Sequence, residues 1–239
     1  MSTPHYGFNP IHSSVSPLTL KSDTAPVKVY VKKPRGTLYW GGAGLNGDYI
    51  KPQLAAFQAV GIKNVSVGLT NTAGANMPNF AKDSGGTFLD AFRAGLLIRY
   101  EDSDDWVLTS GMDAKEGQFN MLGYSYGSLL AAQTANFYAN KGHIVDHLVL
   151  IGSPIDKDFL AKLRANKNIK SVVVIDLTDR GDLLHAGMTQ LEIAQAIPTL
   201  GRQFGSKNAE GHFYYAQVVK DSPARWKALA QRIFDAGVR

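Results

Sequence analysis

From about residue 36 to the C-terminus, near-continuous apolar runs alternate with segments of helical periodicity, and few folds accept that pattern. "TLYW", "NVSVGL", "QFNMLGY", "HLVLIG" and "SVVVIDL" read as strands, mostly of the type buried on both faces. Between and after them, "DYIKPQLAAFQAVG", "TFLDAFRAGLLIRYE", the stretch from Tyr126 to about Gly142, "DKDFLAKLRAN" and "SPARWKALAQRIFDAG" read as helices. Pro52 suits a first turn and Gly61 a stop. Thr87 suits an N-cap, as does Ser222 ahead of Pro223. Strands that alternate with helices imply a mostly parallel sheet with helices on both faces. The expectation is one α/β domain over residues 26–239, since no repeat, linker or shift in composition divides it. Residues 1–25, rich in Ser, Thr and Pro and without periodicity, read as an extended arm.

A chain of 239 residues that is 44% hydrophobic can bury a substantial core. With no cysteine it can form neither disulfides nor thiolate metal sites, and it has no thiol nucleophile. The formal charge is +5, but the basic residues are scattered. The densest cluster, "KVYVKKPR" (28–35), reads as a solvated edge hairpin. No nucleic-acid partner is expected, and transient contact with a membrane surface is the minority reading. The N-terminus lacks a basic segment followed by an apolar block, and no stretch has the length of a membrane span. The expectation is a cytoplasmic protein, or one exported without a cleaved signal peptide.

Two glycine-rich loops suggest competing functions. Gly42, Gly44 and Gly47 satisfy G-x-G-x-x-G between a strand and a helix, where a dinucleotide pyrophosphate would sit. Such a site also needs an acidic residue at the end of the next strand to hold the ribose. That strand here runs into "VGLTNT", with no acid, so the pattern fails its own test. The second loop, Gly123-Tyr124-Ser125-Tyr126-Gly127, matches G-x-S-x-G with an apolar strand before it and a helix after it. A serine on so tight a turn is lifted above the sheet edge, and flanking side chains would collide. Glycine removes the collision. A serine that merely caps a helix does not need both flanks cleared.

With "LYWGGAG", "GYSYGS", "HLVLIGSP", an aspartate after "SVVVIDL" and "EGHFYY" before the last helix, the chain resembles the α/β-hydrolase superfamily, in particular its serine esterases and lipases. The resemblance runs from about residue 27 to the end and follows that family's chain order Ser…Asp…His. It implies a serine nucleophile, Ser125, activated by a histidine that an acid orients. Of the six histidines, His5 and His12 lie in the arm, and His143 and His147 flank the start of a strand with no third metal ligand. His212, in "EGHFYYAQ" before the last helix, occupies the place where this fold presents its base. His185 reads as packing within its own loop. The acid is expected in "IDLTDRGDLL", where Asp176 belongs to the strand end. Asp182 is preferred, and Asp179 stays open as the alternative. The resemblance also implies an oxyanion hole from the N–H of Tyr126 and of Gly42 or Ala43, with Trp40 where many relatives have a histidine.

The implied reaction needs no cofactor and no metal. Its substrate is a small-molecule or lipid ester. Tyr124, Tyr126 and the basic charge lean toward lipid, while Met77, Phe80, Phe88 and "TLGRQFG" are candidates for the pocket wall. Thioesterase, peptidase and non-catalytic binding roles share the same fold and remain the alternatives. A nucleotide-dependent oxidoreductase ranks third.

Overall fold

Five strands hydrogen-bond into one all-parallel sheet in the computed structural model, which describes residues 35–42, 48–67 and 117–239. They are β1 (Gly36–Trp40), β2 (Val65–Val67), β3 (Phe119–Tyr124), β4 (Val145–Ile151) and β5 (Ile169–Ile175). Their spatial order is β2-β1-β3-β4-β5. The chain therefore runs outward from β1 to β2 and then returns to place β3 on the other side of β1. That reversal makes the C-terminal ends of β1 and β3 a topological switch point, where open α/β sheets present their crevice.

Alternation along the strands divides the core. Leu38, Met121 and Leu150 face one side, where they meet α2 (Tyr126–Asn140) and α3 (Lys157–Ala165). Tyr39, Leu122 and Ile151 face the other, against α1 (Ile50–Ala59) and α5 (Ser222–Asp235). Every residue of β1 and β3 is buried, which explains why these strands lack polar alternation. Pro52 falls in the first turn of α1, where its missing N–H costs nothing, and Gly61 follows that helix at φ +102°.

Two sequence expectations change. Helix α4 (Gln190–Ser206) forms where no helix is expected. Pro198 lies inside it, and Gly201 and Gly205 weaken its helical signal. What starts it is a capping box, with the Thr189 side chain on the Glu192 N–H and the Glu192 carboxylate on the Thr189 N–H. Ile193, Ala196 and Leu200 then pack on Leu184 and Met188, and this burial outweighs the poor propensity. In α5 the N-cap position falls to Asp221, one residue before Ser222, whose Oγ instead accepts the Val219 N–H at 2.9 Å. The expected arm, the "VKVYVKK" strand, the end of "NVSVGL" and the "TFLDAFRAGLLIRYE" helix lie outside the described residues, as do Thr87, Met77, Phe80 and Phe88.

Candidate active site

The turn from β3 into α2 is tight because both flanking glycines are in contact with backbone. A Cβ on Gly123 would fall well inside 3.0 Å of the Ser128 Cα and the Gly127 carbonyl. One on Gly127 would do the same against the carbonyl oxygens of Gly41 and Trp40. Between them Ser125 has φ 55° and ψ −125°, a conformation that a non-glycine residue holds only when its surroundings enforce it. The enforcement is visible. The Ser125 N–H donates to the Ile151 carbonyl at 2.8 Å and its own carbonyl accepts the Ser128 N–H at 3.0 Å. Ser128 Oγ also hydrogen-bonds to the Ser125 carbonyl and lies 2.7 Å from Ser153 Oγ. The residue buttressing the turn from below is thus the second serine of "GYSYGS".

The raised serine meets two loops from the far end of the chain. Its Oγ lies 2.6 Å from His212 Nε2, and His212 Nδ1 lies 2.8 Å from Asp182 Oδ2. Asp182 Oδ1 accepts the Leu184 N–H at 2.9 Å, so both carboxylate oxygens are engaged. Asp182 and His212 are buried, and a carboxylate with two donors is the form that such a site tolerates. His212 sits in a short 3-10 turn (Gly211–Phe213), with the Tyr124 hydroxyl donating to its carbonyl oxygen. Burial above all, then Tyr49 and Asp182, pushes the Tyr124 phenol well above its ordinary pKa, so it keeps the proton it donates.

The other sequence candidates lie elsewhere. Asp179 is 68% exposed and pairs with Arg180 at 3.2 Å. Asp176 follows the end of β5, and its Oδ1 accepts the Ala186 N–H at 2.9 Å, which closes the acid loop. His185 is half-buried within that loop, beside the Ala186 carbonyl. His147 bonds to Asn120 from β4, and His143 leans on the Tyr138 ring. Among the described residues no group of three or more His, Cys, Asp or Glu is placed to hold a metal ion.

The loop after β1 departs from expectation. A Cβ on Gly42 would stand 3.0 Å from Ser125 Cβ and 3.4 Å from its Oγ, so the residue does face the nucleophile. Its N–H, however, donates to Tyr49 Oη at 2.8 Å and is turned away from an oxyanion role. Tyr49 is a partner that nothing in the sequence pattern announced. Ala43, Gly44 and Gly47 lie outside the described residues. Tyr126 opens α2, so its amide belongs to the set at the positive end of that helix. Both tyrosines beside the nucleophile are buried, Tyr126 in the core on one face of the sheet and Tyr124 in the core on the other. They therefore offer no lipid-binding surface.

A family model for the alpha/beta hydrolase fold matches residues 71–239, well over half of the chain and inclusive of Ser125, Asp182 and His212. The chain belongs to the α/β-hydrolase fold family. No curated protein and no solved structure matches it. The parallel sheet of the described residues, with its switch point between β1 and β3, is consistent with that family. As a member of that family the chain carries its own β1, α1 and β2 ahead of the matched residues. Among the described residues no helix is long and apolar enough to cross a membrane.

Proposed function

We propose that this protein is a serine hydrolase of carboxylic esters that works through an acyl-enzyme on Ser125. The observation that carries the proposal is the unbroken hydrogen-bond chain Ser125 Oγ–His212 Nε2–Asp182, at 2.6 and 2.8 Å, on the raised turn at the switch point. Ser125 Oγ attacks the ester carbonyl carbon while its proton passes to His212 Nε2. Asp182 holds the Nδ1–H, fixing the tautomer that leaves Nε2 free to accept, and stabilises the imidazolium that forms. The developing oxyanion accepts from the Tyr126 N–H and from the loop after β1. With the Gly42 amide on Tyr49, the second donor of the proposal is Ala43. Collapse of the intermediate breaks the bond to the alkoxide, which takes the proton back from His212. Water, deprotonated by His212, then attacks the acyl carbon. His212 returns that proton to Ser125 Oγ as the acyl–oxygen bond breaks and the carboxylic acid leaves.

Acyl preference is read from the test rather than from the two tyrosines, because both are core residues. The test is hydrolysis of chromogenic esters of increasing acyl length, run beside Ser125→Ala. Loss of about a thousandfold or more in the variant is expected. A wild type inactive on every ester, or a variant as active as the wild type, would overturn the proposal. Labelling of Ser125 by an amide or thioester substrate instead would transfer the mechanism to a peptidase or thioesterase.

A further inference from the structure

The acid and the base of the proposed site come from separate loops, with the whole of α4 between them in sequence. One side chain on α4 touches both. Gln203 Nε2 donates to the carbonyl of Gly181, the residue before Asp182, at 2.8 Å, and Gln203 Oε1 accepts the N–H of His212 itself at 3.0 Å. Only one orientation of the amide satisfies both partners, since Gly181 offers an acceptor and His212 a donor. A second feature reserves space for this amide. Gly211 has φ +51°, and a Cβ there would overlap the Gln203 side chain. Independent contacts hold the same two loops together. The Tyr214 ring is stacked by Arg180 from the acid side at 4.8 Å and by Arg225 of α5 at 4.0 Å. Gln217 repeats the device at the end of α4, donating to the Phe204 carbonyl at 2.9 Å and accepting the Ala209 N–H at 2.7 Å.

We infer that Gln203 is a positioning residue for the proposed triad: its amide sets the separation of the Asp182 and His212 backbones and so the length of the Asp182–His212 hydrogen bond. The kinetic part of this inference rests on the ester-hydrolase reading. Gln203 touches no reacting atom. It acts by removing freedom from two loops that also meet through the pair they carry and through Arg180 on the Tyr214 ring. Misplacement of a catalytic group by about 1 Å can cost about a hundredfold in rate. Met keeps the length of the glutamine side chain and removes both hydrogen bonds. Glu keeps the acceptor for the His212 N–H but turns the donor facing Gly181 into a repelling oxygen.

The experiment compares wild type, Gln203→Met, Gln203→Glu and, as a control on the exposed face of α4, Arg202→Ala. Its readouts are thermal unfolding, ester kinetics and the downfield proton resonance of His212 Nδ1–H. Gln203→Met is expected to lower kcat by about ten- to a hundredfold with KM within about twofold, at a melting temperature that leaves the protein folded. Its Nδ1–H resonance should shift upfield or broaden. Gln203→Glu should fall between Met and wild type, and Arg202→Ala should match wild type. A Met variant with wild-type kcat and resonance overturns the inference. So does a loss of rate that only tracks the loss of folded protein. Should the wild type hydrolyse no ester, the resonance alone decides: a change in Gln203→Met upholds the positioning role while the ester reading falls.

Discussion

Tyr124 and His212 are joined twice: their rings stack with centres 6.0 Å apart and planes inclined by 22°, and the Tyr124 hydroxyl donates to the His212 carbonyl oxygen. Tyr124 immediately precedes the proposed nucleophile, so this contact ties the end of β3 to the loop that carries the proposed base. Tyr124→Phe keeps the ring and leaves a buried carbonyl without that partner. It should cost about 1–3 kcal/mol in denaturant unfolding and lower kcat severalfold with little change in KM. Stability equal to wild type would show that the hydroxyl contributes nothing net.

Asp182 and Asp179 are three residues apart and should respond oppositely. Asp182→Asn offers His212 Nδ1 an amide that can stabilise the wrong tautomer, so kcat should fall by roughly a thousandfold or more. Asp179→Asn removes an exposed carboxylate paired with Arg180, and kcat should stay within about twofold. Steady-state kinetics on one ester settle the assignment. Equal losses in both variants would remove Asp182 from its proposed role.

Gly127→Ala should be far more damaging than alanine at an ordinary helix position, where alanine is the best helix former. Its methyl would enter the space held by the Gly41 and Trp40 carbonyls, and backbone does not yield as a flexible side chain does. Destabilisation of about 3 kcal/mol or more is expected, at the upper end of overpacking costs. Gly205→Ala, on a helix where no atom of the described residues lies within 4 Å of the added Cβ, is the control and should be neutral or stabilising. Urea melts of the two variants make the comparison, and similar midpoints would contradict the close approach.

His147 predicts a pH dependence that does not involve the proposed chemistry. Burial first, and then Arg239, lower its imidazole pKa, while Asp146 opposes them. Nδ1 bonds to Asn120 Oδ1 at 3.0 Å, and a Cβ on Gly237 would stand 2.9 Å from Nε2. A folded pKa below the unfolded value of about 6.5 means that the unfolded chain takes up the proton first as pH falls. Stability should therefore drop as pH falls through about 6.5, and the drop should cease once the folded value has been passed. His147→Gln should flatten that limb in urea melts taken from about pH 7.5 to 5. Parallel limbs for wild type and variant would refute it.

The sheet was legible in the sequence because strands covered on both faces must be apolar along their whole length, and β1, β3, β4 and β5 are nearly so. The Ser125 turn was legible for an equally local reason: Gly123 and Gly127 are needed wherever a chain makes that bend. Helix α4 was not legible. Its propensity is poor around Pro198, and its stability comes from burial on Leu184 and Met188, although the Thr189–Glu192 box was a readable start signal. The sequence favoured Asp182 but left Asp179 open as the alternative, because three residues of spacing do not say which carboxylate turns inward. Tertiary structure alone turned Asp182 to His212 and left Asp179 in solvent. It likewise gave the Gly42 amide to Tyr49 and set Gln203 between two loops. Periodicity and turn chemistry are properties of neighbouring residues, so a sequence carries them by itself. Which donor reaches which acceptor across tens of residues depends on where packed elements place their side chains, and only the folded chain decides that.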